Sequence, residues 1–218
     1  MSAVPGAARA VVDLARISRG FADPVSGAQR VFRALLDATA RPGRIAALPD
    51  DAIAGFGAAA LSPAAYAVLL ALLDAQTSAW LGGATAGALD PLRFHTGVRV
   101  AHSAPEAAFV ALDAEHAAPS LWSRLASGTD ERPQDGATLV VDVPSLHAGD
   151  AGRGESALVL RGPGIESVHR LAVGGLDAPF WAARAALAPA FPRGVDLVLA
   201  CGARLAALPR TTRVAVEG

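Results

Sequence analysis

The chain has 218 residues and a formal net charge of -1, which is enough for one large domain burying roughly 70% of its unfolded surface. Its balanced charge, with no basic cluster, argues against a protein that follows a nucleic acid backbone. All 19 cationic residues are Arg and Lys is absent, so a lysine Schiff base and a P-loop lysine are both excluded.

Asn is absent as well, and 52 residues are Ala, so much of the 52% hydrophobic content is alanine. Cys201 is the only cysteine. No internal disulfide can form, and a reducing cytoplasm is the expected compartment. Arg9, Asp13, Arg16 and Arg19 interrupt any apolar run near the start, so a secretion signal is not indicated. The Ile53–Leu73 stretch contains Gly55, Gly57, Ser62 and Pro63 and is too weak to span a membrane.

In chain order, residues 1–20 are expected to form an N-terminal arm, followed by a single domain over 21–218. Ala28, Val31, Phe32, Leu35 and Leu36 fall at helical spacing and predict an amphipathic helix over 24–40, ended by Arg41-Pro42-Gly43. Ser62 as N-cap with Pro63 at the first helical position predicts a buried helix up to Leu73. Thr77–Leu81 is expected to be a strand, and Ala84–Phe94 a helix that delivers His95, Thr96 and Gly97 to its C-terminal turn.

Ala107–Leu112 reads as a strand and Pro119–Ala126 as a helix. Ala137–Val143, Ala157–Arg161 and Ser167–Val173 are β-branched or leucine-rich runs. With no helix between them, antiparallel pairing of the three is expected. Asp177 caps a helix over 178–188, Val195–Ala200 has the character of a central strand, and Cys201-Gly202 turns into a strand over 204–208. A last strand is expected over Thr211–Val216. The sum, about eight strands and five helices, predicts a three-layer α/β domain with a mixed sheet.

Two islands carry unusual chemistry: Leu92-Arg93-Phe94-His95-Thr96-Gly97 and Pro209-Arg210-Thr211-Thr212. Each joins a guanidinium to hydroxyl donors, and the first adds an imidazole, a set suited to gripping phosphate, phosphonate or carboxylate. Arg93, His95, Thr96, Arg210, Thr211 and Thr212 are therefore the candidate anion- or partner-binding residues. Each also has a structural reading, as a helix-end cation, a hydrogen-bonded histidine or plain strand residues. Five scattered His residues without His-x-x-x-His spacing predict no metal site. No nucleophile–base pair or close carboxylate pair is placed by the sequence, so no catalytic residue is assigned.

In sequence order with these islands stand Gln29–Leu36 (QRVFRALL), Arg41-Pro42-Gly43, Trp80-Leu81, Ser127-Gly128-Thr129, Gly136-Ala137-Thr138-Leu139, Gly162-Pro163-Gly164-Ile165 and Phe191-Pro192-Arg193-Gly194-Val195-Asp196. Over residues 20–216 the chain resembles the PhnH family of the bacterial carbon–phosphorus lyase system. The resemblance implies a cytoplasmic homodimer with a fold similar to the large domain of pyridoxal-phosphate-dependent transferases, without the cofactor site and with no cofactor of its own.

The resemblance further implies assembly with the subunits PhnG, PhnI and PhnJ and a functional link to the ATPase-like PhnL. Such a complex moves the ribose triphosphate of ATP onto methylphosphonate with release of adenine, and a radical-SAM subunit later breaks the carbon–phosphorus bond. Two roles are compatible with it. One is a non-catalytic structural subunit. The other is an enzyme or ligand-binding subunit with an anion pocket for phosphonate or nucleotide, lined by Arg93, His95 and Arg210.

Overall fold

The computed structural model describes residues 17–56 and 60–217. The expected N-terminal arm therefore lies, up to residue 16, outside the described residues. The elements in chain order are α1 (Pro24–Ala40), β1 (Ala46–Ala47), α2 (Asp50–Ile53), α3 (Pro63–Leu72), β2 (Ser78–Leu81), α4 (Leu89–Thr96), β3 (Arg99–Val100), β4 (Phe109–Asp113), β5 (Thr138–Asp142) and β6 (Leu146–Ala148). They continue with β7 (Glu155–Arg161), β8 (His169–Gly174), α5 (Ala178–Ala185), β9 (Asp196–Cys201), β10 (Arg204–Leu208) and β11 (Arg213–Val216).

Helix α1 forms where its periodicity predicts, with Val31, Leu35 and Ala38 on the buried face. The Asp23 carboxylate caps it by accepting from the Val25 and Ser26 amides at 3.1 and 3.2 Å. Helix α3 begins at Ser62, whose hydroxyl accepts from the Ala65 amide at 3.3 Å. Every residue from Ala64 to Leu70 is buried, as an apolar-all-round helix requires.

The fold is α/β around a mixed seven-stranded sheet in the order β1-β10-β9-β5-β4-β2-β3. β3, β2, β4, β5 and β9 run parallel, while β10 is antiparallel to both its neighbours. Parallel strands buried on both faces read as continuous apolar runs, as in TLVVD and DLVLAC. Ala111, Val140, Val198, Ala200 and Ala207 face the helix layer containing α1 and α3, and these small side chains let the helices approach closely. Leu112, Leu139, Val141, Leu197, Leu199 and Leu208 face the other way. There they meet Leu158, Leu160, Leu171, Trp122, Phe180 and Trp181.

That third layer corrects one expectation. The strand over 137–143 does not pair with the next two; it is β5, parallel between β4 and β9. β7 and β8 instead form a separate antiparallel sheet in the order β11-β7-β8-β6. The sheet is closed by β6 and β11, the first too short to show as a run and the second contributed from the end of the described chain.

Three further expectations are adjusted. Residues 119–126 make mostly tight i→i−3 turns rather than a continuous helix, with Leu121 and Trp122 amides bonded to Ala118 and Pro119 carbonyls and a single i→i−4 bond from Leu125 to Leu121. Ser123 donates back to the Ser120 carbonyl at 3.1 Å, a local bond that competes with helix pairing. The helix over 84–94 is split into a 3-10 turn, Gly83–Ala88, and α4. β11 starts at Arg213, so Thr211 and Thr212 belong to the turn before it.

Candidate functional site

The first island is the last turn of α4. Gly97, at φ 71°, ends the helix in the left-handed conformation that glycine adopts freely. Thr96 donates from its hydroxyl to the Leu92 carbonyl at 2.7 Å and accepts from the Val98 amide at 3.2 Å. His95 bonds through Nε2 to the Ser18 carbonyl at 2.9 Å, tying the entry segment to α4. Arg93 stays exposed beside Phe94, which is 56% exposed.

The second island has a different setting. Arg210 is mostly buried and forks onto Asp196, with Nε to Oδ1 at 3.2 Å and an amino group to Oδ2 at 2.7 Å. Its backbone amide also donates to Asp196 at 2.8 Å, and its other amino group donates to the Pro133 carbonyl at 2.5 Å. Gly136 and Gly194 leave it room: a Cβ on Gly136 would stand 2.9 Å from the guanidinium and one on Gly194 3.0 Å from the Arg210 Cβ. Ser127 pairs with Gly136 and accepts from the Gly194 amide at 2.8 Å. The Thr211 carbonyl would lie 2.9 Å from a Cβ on Gly162. The segments SGT, GATL, GPGI, FPRGVD and PRTT, distant in sequence, thus converge around Arg210.

The structure does not bring the two islands together. The first sits on α4 beside the edge strand β3, and Arg210 follows β10 and contacts the start of β9. β3 and β9 are four strand spacings apart, about 19 Å. Arg93 and His95 therefore do not share a cleft with Arg210.

What Arg210 does share is a cavity of about 240 Å3 lined by Arg184, Arg193, Gly194, Thr212, Arg213 and Val214 among others. Arg184 reaches it from α5, 6% exposed, and its amino groups donate to the Thr212, Leu208 and Pro209 carbonyls at 3.0, 2.9 and 3.0 Å. Its guanidinium lies 6.0 Å from the Trp122 ring centroid. Burial lowers its pKa to about 10, which still leaves it charged at neutral pH. Arg193 pairs with Asp130 at 3.3 Å.

A second concavity, about 530 Å3, opens at the carboxyl ends of the parallel strands and is lined by Ala84, Asp113, Ala114, Glu115, Asp142, Val143, Pro144 and Gly175. The chain leaves β2 toward the helix layer, through Ala88 and Leu92, and leaves β4 toward the opposite face, through Ala117, Leu121 and Trp122. This is a topological switch point, the place where open α/β sheets form a crevice. Asp113 and Asp142 are register neighbours there, a carboxylate pair that sequence spacing does not reveal.

Their environments push the two carboxylates apart. Burial raises the Asp142 pKa, against the lowering effect of the Ser62 amide at 2.5 Å. For Asp113 burial also acts to raise it, but His116 at 2.6 Å and the Ala84 amide at 2.7 Å prevail and hold it low. Both carboxylates thereby accept from backbone amides, Asp113 from Ala84 and His116 and Asp142 from Ser62. Among the described residues no group of three or more His, Cys, Asp or Glu is placed to hold a metal ion.

Sequence reasoning missed Arg184, Arg193, Arg213, Asp113 and His116. The one available signal was that β4 and β5 both read as an apolar run closed by Asp, which puts two carboxylates at one sheet edge if the strands are parallel neighbours. Arg184 sits in an Ala-rich helix and carries no such signal.

Compared with known proteins, residues 19–215 match the family model described as bacterial phosphonate metabolism protein, PhnH. The chain is 40% identical over 205 residues to the alpha-D-ribose 1-methylphosphonate 5-triphosphate synthase subunit PhnH of Rhizobium meliloti (strain 1021), covering 92% of this chain and 96% of that protein. It is 36% identical over 193 residues to HtxG of Stutzerimonas stutzeri, named as a candidate C-P lyase subunit, covering 87% of each.

Proposed function

The chain belongs to the PhnH family of bacterial phosphonate metabolism proteins, and on that premise we propose that it is a subunit of a carbon–phosphorus lyase complex. Within it, the chain is required for alpha-D-ribose 1-methylphosphonate 5-triphosphate synthesis, in a structural rather than catalytic capacity. The observation that carries this is the 40% identity to a named synthase subunit across nearly the full length of both chains. The structural reading is supported by the site geometry, since His95 Nε2, the Thr96 hydroxyl and the Arg210 guanidinium are engaged by the protein itself.

The test is a deletion strain supplied with methylphosphonate as sole phosphorus source. Loss of growth, restored by the wild-type gene, is the expected result; growth of the deletion strain overturns the assignment. Affinity purification of the complex from strains carrying Arg93→Ala, His95→Ala or Arg210→Ala separates the two roles. Growth and assembly failing together supports the structural role, and normal assembly without growth overturns it.

The finer expectations belong to the same proposal: a cytoplasmic homodimer, contacts with PhnG, PhnI and PhnJ, a link to PhnL, and kinship with the large domain of pyridoxal-phosphate-dependent transferases. The mixed sheet supports the last, and the absence of Lys fits a relative without that cofactor's anchor. No helix of the described residues is long and apolar enough to cross a membrane. Self-association is supported by an apolar stripe on α1: Val25, Phe32 and Leu36 are 70%, 45% and 51% exposed at spacings of seven and four. Phe32→Glu with Leu36→Glu is expected to convert the dimer to monomer in sedimentation velocity, with the far-UV circular dichroism unchanged.

A further inference from the structure

We propose that the cavity lined by Arg184, Arg193, Arg210, Arg213 and Thr212 binds a tetrahedral phosphorus oxyanion, the phosphate or phosphonate group of a ligand. The charge balance points there first. Of the four arginines, Arg210 has Asp196 and Arg193 has Asp130. Arg184 bonds only to neutral carbonyls, and the one carboxylate whose charge favours its own is Asp196, which Arg210 already engages. Carbonyl dipoles satisfy donors but leave the net charge in place, and a buried charge is ordinarily paired.

Unused donors point the same way. The Nε of Arg184 and the hydroxyl of Thr212 are both buried with no hydrogen-bond partner among the described residues, although their residues are only 6% and 2% exposed. Buried polar groups in a native fold are nearly always paired, and both of these belong to residues that line the one cavity. Arg213 adds charge at the rim. It stands directly opposite Arg161 in the β11–β7 ladder, a like-charge pairing that is unfavourable unless an anion lies between or beside them.

Size selects the ligand class. A cavity of about 240 Å3 falls below the range of pockets that enclose drug-sized molecules, about 300–1,000 Å3. It accommodates one phosphoryl or phosphonyl group. Guanidinium forks and a hydroxyl arranged around such a group are the donors that phosphate recognition uses. The first island takes no part, and the buried anchor is Arg184.

The experiment is isothermal titration of the purified full chain with inorganic phosphate, methylphosphonate and acetate at constant ionic strength. Saturable binding of phosphate or methylphosphonate, and none of acetate, is expected. A preference for methylphosphonate assigns the source as a phosphonate, and a preference for inorganic phosphate assigns it as a phosphate ester or free phosphate. Arg213→Gln, at an exposed position, and the near-isosteric Thr212→Val are each expected to weaken binding about tenfold or more. Arg33→Gln, on exposed α1, controls for net charge and leaves it unchanged. Circular dichroism establishes that each variant is folded. The proposal is overturned if the wild-type chain shows no saturable binding, if acetate binds as well, or if folded Arg213→Gln and Thr212→Val both bind like wild type. Because the titration uses the isolated chain, its failure is distinct from failure of complex membership, which growth and assembly report.

Discussion

Arg93 and Arg210 are the same side chain in similar local company, yet their surroundings give them opposite energetic weights. Arg93 is exposed at a helix end, where a substitution changes stability by only about 0.5 kcal/mol. Arg210 ties the start of β9 to the loop at Pro133 through a two-pronged carboxylate bond and a carbonyl bond. Arg210→Ala removes both side-chain bonds to the Asp196 carboxylate, leaving it the backbone amide of residue 210, and strands a partly buried carbonyl, which together are expected to cost about 2–4 kcal/mol. For a chain of this size that corresponds to a melting temperature lower by about 4–16 °C. Calorimetry on both variants checks it, and equal melting temperatures would refute the distinction. A sequence shows that both islands hold donors but not whether those donors are already used. The partners of Arg210 lie 14 and 77 residues away, and this is why the two islands read alike. For the same reason Arg184, an isolated cation among alanines, gave no signal although it lines the basic cavity.

Elements with their own periodicity and caps were legible residue by residue. The limits of α1 follow from Pro24 and Pro42, with the Asp23 cap supplied by the structure, and those of α3 from Ser62 and Pro63. Removing these caps therefore has a definite expected effect: Asp23→Ala and Ser62→Ala each cost about 1 kcal/mol, measurable as a shift in the urea midpoint with unchanged slope. The central strands β5 and β9 were legible as apolar runs, but their partners were not. Pairing depends on which edge a strand reaches, and β1, β3 and β6 are two or three residues long, too short for any pattern to register. The antiparallel pairing of β7 with β8 was legible, but the rest of the second sheet was not, because β11 joins β7 from 52 residues further along the chain, counting from Arg161 to its partner Arg213. The candidate cavities inherit this difficulty, since each is built where non-neighbouring segments meet.

At the scale of the whole molecule, two carboxylate–imidazole pairs on different sheets give stability a shared pH dependence. His116 bonds Asp113 at 2.6 Å beyond β4, and His147 bonds Glu155 at 2.8 Å between β6 and β7. Glu155 is pulled down to about 2, first by the Ser145 hydroxyl, then by the Gly152 amide and His147. Asp113 is also held low, because His116 and the Ala84 amide outweigh the opposing effect of burial. Both imidazoles are raised, His116 by Asp113 and His147 by Glu155, with Arg204 opposing the latter. A carboxylate with a lowered folded pKa stabilises above its unfolded value, and that contribution disappears as pH falls through the folded one. An imidazole with a raised folded pKa stabilises fully below its unfolded value of about 6.5 and loses that contribution as pH rises through the folded one. The two conditions overlap between about pH 4.5 and 6.5, where these pairs contribute most. The melting temperature is thus expected to decline on the alkaline side as the imidazoles lose their protons, and on the acid side as Glu155 and Asp113 gain theirs. His116→Gln with His147→Gln should flatten the alkaline limb selectively. NMR titration of the two rings in the wild-type chain should place both midpoints above 6.5; midpoints at or below that value, or an alkaline limb unchanged in the double variant, would assign the pH dependence to other groups.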